Sequence, residues 1–346
     1  MKQNKERKIL ISGYGPGDGG QPSVALYGLS DKTDAAMEVW SDTVAAPSYL
    51  CTYQDICFAI REEEKDGSVL LYRRDGDTYL LQDELFLKGG GLCHIIYQPA
   101  NETLYCSFYA TGHIAAVQVK DYHFTKVVSF FQIKPEDGES LTRVHCCTLE
   151  PDGSRVLASN IALDRIYLYH SEEGVLVPNT GYEYIQLERG IGPRHLKFHP
   201  IQNYLYLITE YSNEILTFLY KVEDDVPQLL LLQRISTLPG GYAGDSTGSA
   251  VDISKDGRFL YAANRGADTI AVFEIDTEGI LHKIQDASCL GRCPRHIALT
   301  KDDAVLMAAN QESNEAVMFH IDDNTGKLLE VASRIPFYKP TYLEEV

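Results

Sequence analysis

Five charged side chains stand at two fixed distances from a recurring turn. His145, Arg194 and Arg295 lie six residues before a turn proline or its counterpart, and Glu210 and Arg265 lie ten residues after one. A histidine, with an ordinary pKa of about 6.5, moves protons in either direction near neutrality, and a carboxylate can serve as acid or base when its surroundings tune it. Guanidinium groups grip phosphate or carboxylate through paired hydrogen bonds. Gathered in one place, the five would form a pocket for a small anion with a proton-transfer group beside it. The competing arrangement is a wet rim at which the same charges only pair with one another, Arg194 with Glu210 above all.

The elements that must position these residues are repeats. RVHCCTLEPDGSRVLASNIALDRIYLYH from Arg143, PRHLKFHPIQNYLYLITEYSNEILTFLY from Pro193, GSAVDISKDGRFLYAANRGADTIAVFEI from Gly248 and PRHIALTKDDAVLMAANQESNEAVMFHI from Pro294 share one template. Each reads as a short strand, a PDG-like turn, an apolar second strand, a polar turn and an alternating third strand. Weaker copies begin at Cys93 and Pro47. The equivalent positions Ser48, Cys93, His145, Arg194, Ser249 and Arg295 are 45, 52, 49, 55 and 46 residues apart, the length of a four-stranded propeller blade. KPTYLEEV at the C-terminus echoes APSYLCTY, which makes Thr341 a seventh marker. Its blade has to take its innermost strand from the C-terminus and the rest from residues 7–28, a closure that leaves no open edge at the join.

No window of 12 or more residues holds a helical apolar period, and Gly, Pro, Asn and Asp interrupt the chain every 8 to 12 residues. The expected fold is therefore all-β: one seven-bladed β-propeller of four-stranded antiparallel blades over residues 1–346, with no second domain. In such a blade the first strand begins, and the second ends, at the same face of the disc. One channel mouth should thus collect the seven markers together with Tyr109, Ile161, Glu210, Arg265 and Gln311.

Composition narrows the partners. With 31 Lys and Arg against 49 Asp and Glu the formal charge is −18, which argues against a nucleic-acid partner. A chain 44% hydrophobic and 23% charged can build a core. The only apolar stretch near the start is Ile9 to Ile11, and no run approaches 18 apolar residues, so neither a secretory leader nor a membrane span is expected. Eight cysteines without a C-x-x-C motif suggest small buried thiols and a cytoplasmic location. Arginines at the mouth would repel a divalent cation, so no metal and no cofactor are expected. The chain is expected as a monomer or weak homodimer.

GPRHLKFHP at Gly192–Pro200, TEYSNE from Thr209 and SKDGRFLYAANRG with DTIAVF resemble the lactonase family of seven-bladed propellers, which includes cycloisomerase-type 6-phosphogluconolactonases and fungal carboxy-cis,cis-muconate lactonizing enzymes. The resemblance runs from about Pro47 to Gly326 and is most specific between Arg143 and Gln311. It implies a catalytic set of His145, Arg194, Glu210 and Arg265; Arg295, Tyr109, Asn264 and Gln311 are the expected substrate contacts. Three departures bear on the substrate. Arg143 stands where the family often has a second histidine, Asn160 where it often has aspartate, and CSFYATGH where it tends to have an Asn-Tyr pair, whereas Asp164 is kept.

Opening a lactone requires a water to be deprotonated, an oxyanion to be stabilised and the leaving alkoxide to be protonated. His145 or Glu210 would act on the water, with Arg194 and Arg265 on the oxyanion and the anionic tail. The expected reaction is hydrolysis of 6-phospho-D-glucono-1,5-lactone to 6-phosphogluconate, in the pentose phosphate pathway. A muconate-type lactonizing cycloisomerase is the alternative, for which Arg295 would matter less; a binding propeller would instead show an exposed aromatic patch. His195 and His296 follow slot arginines and should alternate to the other strand face, packing between blades. Trp40 is expected in packing, His199 in a turn, and GYGPGDGG as a turn near the mouth.

Overall fold

The computed structural model describes residues 7–15, 17, 20–29, 36–136, 138, 141–179 and 181–346. Seven antiparallel sheets form the ring, occupying residues 50–87, 92–132, 144–186, 193–236, 247–288 and 294–336, with the seventh made from both termini. In the seventh, the C-terminal strand Pro340–Glu345 is innermost, followed outward by Arg7–Gly13, Val24–Leu29 and Ala36–Asp42. The outermost strand thus lies beyond the 7–28 segment assigned to this blade from the sequence; it carries Trp40, whose ring packs against Tyr72 and Tyr79 of the first blade. The third blade splits its outer position between Val175–Pro178 and Tyr184–Gln186, both paired with Arg165–Glu172.

The core is a set of seven wedges, one at each junction between neighbouring blades. The middle strands are apolar on both faces because each face meets a different neighbour. In Arg155–Asn160, Val156 and Ala158 pack with Tyr105 and Ile114 of the second blade, whereas Leu157 packs with Leu205 and Leu207 of the fourth. Those strands therefore read as continuous hydrophobic runs without a polar alternation. Burial of Leu157 alone contributes roughly 2 kcal/mol.

Two recurring devices aim the site residues. The first is a bulge at the start of the innermost strand: Val144 pairs with Asn160 and Cys146 with Ser159, which leaves His145 as the extra residue. The same offset isolates Cys93, Arg194, Arg295 and Thr341. A bulged residue escapes the two-residue alternation, so it and its successor can both turn into the channel.

The second device is a left-handed Asp or Asn between the second and third strands. Asp164, Asn213, Asp268 and Asn314 have φ of 52, 53, 54 and 55°, a conformation short polar side chains tolerate best after glycine. Each reaches the loop leading to the next blade's innermost strand. Asp164 accepts the amides of Gly190 and Gly192 at 2.7 and 2.8 Å, Asp268 accepts that of Cys293 at 2.7 Å, Asn213 donates to the Ser246 carbonyl at 2.9 Å, and Asn314 accepts from Lys339 N at 3.0 Å. Asp164 thereby fixes the approach to Arg194. Asp164→Ala removes two charge-assisted bonds and leaves a Cβ-bearing residue without compensation at positive φ, so a loss of about 3 kcal/mol in unfolding free energy is expected from denaturant titration.

Candidate active site

The bulges bring the markers to one ring. Ser48, Cys93, His145, Arg194, Arg295 and Thr341 line a single small space on the axis, and the seventh marker, Ser249, meets it through its carbonyl, which accepts from Arg194 Nη1. The small members tie blade to blade: Ser249 Oγ donates to the Pro294 carbonyl at 2.6 Å, and Cys93 Sγ lies 3.4 Å from the His145 carbonyl.

Arg194 is only 3% exposed. Its Nε donates to Glu210 Oε2 at 2.9 Å, and Nη1 lies 3.2 Å from His195 Nε2. The same Glu210 oxygen receives Arg265 Nη2 at 3.0 Å. One carboxylate oxygen therefore holds two guanidinium groups, and Glu210 Oε1 makes no bond among the described residues. Burial lowers the Arg194 pKa to about 10, with Arg265 adding to the effect and Glu210 opposing it; the group stays charged at neutral pH. Gly192, two residues before Arg194, has φ +66°, and a Cβ there would lie 2.6 Å from the Tyr211 ring. That is why the approach begins with glycine.

His145 is buried, and its Nδ1 has no hydrogen-bond partner. Burial holds its pKa well below 6.5, and Arg194 and Arg295 push it further down, so the imidazole is neutral at physiological pH. Tyr109 stands edge-on to it, with ring centroids 5.9 Å apart, and accepts a 3.0 Å bond from Arg143 Nη1. Arg143, a departure from the family pattern, thus joins the rim through Tyr109. Arg295 donates from Nη2 to the Tyr14 hydroxyl at 2.7 Å, and that hydroxyl donates to Glu62 at 2.9 Å. Four guanidinium groups face two carboxylates at this mouth, which makes it cationic in a chain whose formal charge is −18.

Asn264 and the two channel histidines depart from expectation. Asn264 is fully buried, with its amide bonded to the Thr237 backbone and hydroxyl and to Thr269; it anchors a loop and offers no free group to a substrate. Asn160 does the same for Thr142 and the Arg143 amide, so its difference from aspartate falls on a structural post. His195 and His296 do not pack between blades: they line the channel directly beneath the marker ring, because the bulge places two successive residues on one face. Ile161 is buried. Gln311 starts a single turn, Gln311–Ser313, with its amide nitrogen donating to neighbouring Glu312. His199 accepts the Ile201 and Gln202 amides, as a turn residue does.

Tyr14 and Glu62 carry no individual signal in the sequence. Tyr14 belongs to GYGPGDGG, which was placed near the mouth; Pro16, Asp18 and Gly19 of that run lie outside the described residues. Glu62 sits in an acidic run with no periodic signal.

The family described as "Lactonase, 7-bladed beta-propeller" matches residues 8–344. The chain is 29% identical over 329 residues to a 6-phosphogluconolactonase of Bacillus subtilis, covering 92% of both chains. Among solved structures it is similar to a periplasmic gluconolactonase of Pseudomonas aeruginosa, with a TM-score of 0.90, 23% identity and 99% of each chain covered. A Lactobacillus plantarum protein gives a TM-score of 0.87 at 24% identity, covering 99% of this chain and 100% of that one. At such identities the two structures speak to the fold alone.

Proposed function

The chain belongs to the lactonase family of seven-bladed β-propellers and is a lactone-hydrolysing enzyme, and on that premise we propose that it opens 6-phospho-D-glucono-1,5-lactone to 6-phosphogluconate in the arginine-lined mouth of its channel. The observation that carries this reading is the pair of guanidinium groups, Arg194 and Arg265, held on one oxygen of Glu210 beside the neutral, unpartnered imidazole of His145. The name of the Bacillus subtilis relative supports the phosphorylated substrate. Eight free thiols, six of them buried, suit a reducing cytoplasm, where the reaction would serve the pentose phosphate pathway. Among the described residues no helix is long and apolar enough to cross a membrane.

In this mechanism His145 takes a proton from water as it attacks the acyl carbon and returns it to the ring oxygen as the C–O bond breaks. Glu210 has its Oε2 committed to two arginines, so its part is to orient them toward the tetrahedral oxyanion. Arg295, outside the Glu210 pair, holds the phosphate. His145→Ala is expected to lower kcat by about 10²-fold with little change in KM, and Glu210→Gln to act through both constants, because it releases the arginines. Initial rates measured above the spontaneous hydrolysis of the lactone test this; a His145→Ala enzyme as fast as wild type would reject the assignment.

Arg295 distinguishes the tail. Its replacement by Ala is expected to raise KM for the phosphorylated lactone by about tenfold or more and to leave unphosphorylated gluconolactone within about twofold. Equal losses on both would point away from phosphate recognition.

A further inference from the structure

Below the arginine rim the channel narrows and then widens. The neck is a space of about 10 Å³ between Ser48, His145, Arg194 and Arg295 above and His195 and His296 below, the room needed by one water molecule. Beneath it opens a cavity of about 440 Å³ lined by Tyr49, His94, His195, His296, Tyr342 and Glu344 among others. Polar atoms around this axis lack protein partners: Ser48 Oγ and His145 Nδ1 at the neck, His94 Nδ1, His296 Nδ1 and Glu344 Oε1 lower down. Ser48, His94 and His145 are 4, 6 and 6% exposed, and buried polar groups of this kind are met by ordered water.

The rings form a continuous file. Centroids lie 5.2 Å apart from His145 to His195, 5.7 Å from His195 to His94, 4.5 Å from His94 to Tyr49 and 4.5 Å from Tyr49 to Tyr342. Glu344 follows two residues along the last strand, at the far side of the cavity.

Lactone hydrolysis consumes one water and yields one proton per turnover. The water oxygen bonds to the acyl carbon and the ring C–O bond breaks; one hydrogen ends on the freed hydroxyl, and the new carboxylic acid loses the other as H⁺. An anionic lactone seated on Arg194, Arg265 and Arg295 covers the upper mouth, which leaves the lower cavity as the open way for water and for the released proton. Resting on the lactonase reading above, we propose that the neck is the binding site of the attacking water, and that the polar cavity below it, through water held on the unpartnered His94, His296 and Glu344 atoms, brings in the next water and carries the proton toward Glu344 and the opposite face.

Two variants test this without altering an arginine. Ser48→Ala removes a hydroxyl that bonds nothing in the protein, and Ala298→Phe sets a ring into the lower cavity, which Ala298 lines. Each is expected to lower kcat on 6-phosphogluconolactone about five- to tenfold at saturating substrate while KM stays within about twofold. The wild-type kcat in mixtures of H₂O and D₂O should follow a bowed line, reporting more than one proton in motion. Thermal melts identify a variant that has not folded, and Ser48→Ala breaks no bond, so it keeps the test open if Ala298→Phe does not fold. A folded Ser48→Ala enzyme with wild-type kcat, or a straight isotope line, overturns the conduit while leaving lactone hydrolysis intact. A wild-type protein that does not accelerate lactone hydrolysis overturns both.

Discussion

Arg194→Ala is expected to lower kcat/KM on 6-phosphogluconolactone by about 10³-fold, the upper end of what one lost oxyanion donor costs. The size of the effect follows from preorganisation. Arg194 is held by Glu210 through Nε and by His195 and the Ser249 carbonyl through Nη1, so its guanidinium needs no rearrangement when charge develops on the substrate. Its removal also frees Glu210 from one of its two cations and leaves a carboxylate beside Arg265 alone. Arg194→Lys should recover little, because an ammonium cannot span the same three acceptors in a plane. Steady-state rates with both variants, on protein shown to be folded by its melting transition, decide the matter. An Ala variant within threefold of wild type would show that Arg194 is a strut of the ring and takes no part in the chemistry.

Acidification is expected to destabilise the fold steeply, by about 4 kcal/mol per pH unit between roughly pH 6.5 and 4.5. Burial lowers His94 and His296 to about 3, and burial followed by the Arg194 charge holds His145 and His195 well below 6.5. In the unfolded chain all four titrate near the ordinary value. Below it the unfolded state binds protons that the folded state refuses, and stability present above pH 6.5 is lost as pH falls. Glu344 works in the opposite sense: burial raises its carboxyl to about 7, so in the same window the folded chain holds a proton that the unfolded chain has released. The net difference of about three protons sets the slope. Against a typical total stability of about 5–15 kcal/mol, this brings unfolding within reach near pH 4.5. Denaturant midpoints at pH 7, 6 and 5 measure it directly; equal midpoints would mean that the channel histidines are protonated in the folded state.

The marker ring was legible in the sequence because every blade contributes one residue at the same register. Ser48, Cys93, His145, Arg194, Arg295 and Thr341 meet around one space although they are spread over 294 positions of chain. The faces of His195 and His296 were not legible, since two-residue alternation assigns them to the blade interface and only the bulge overrides it. Asn264 was misassigned for a related reason. Its place beside Arg265 in NRG looks chemical, and its bonds to Thr237 and Thr269 come from a loop 27 residues earlier and the start of a strand five residues later. The rim's completion by Tyr14 and Glu62 depends on ring closure, which sets Tyr14 against Arg295 across 281 residues.

From the sequence alone came the repeat, and with it the propeller, the closure by both termini and the residue types that reach the mouth, because these depend on period and local turn chemistry. The tertiary structure decided how the charges share partners: that one oxygen of Glu210 holds Arg194 and Arg265, that His145 keeps an unpartnered nitrogen, and that a file of imidazoles runs beneath it. Spacing along a chain fixes which face of which strand a residue can occupy. Distances of about 3 Å between side chains from different blades depend on bulges and on ring closure, and neither leaves a period to read.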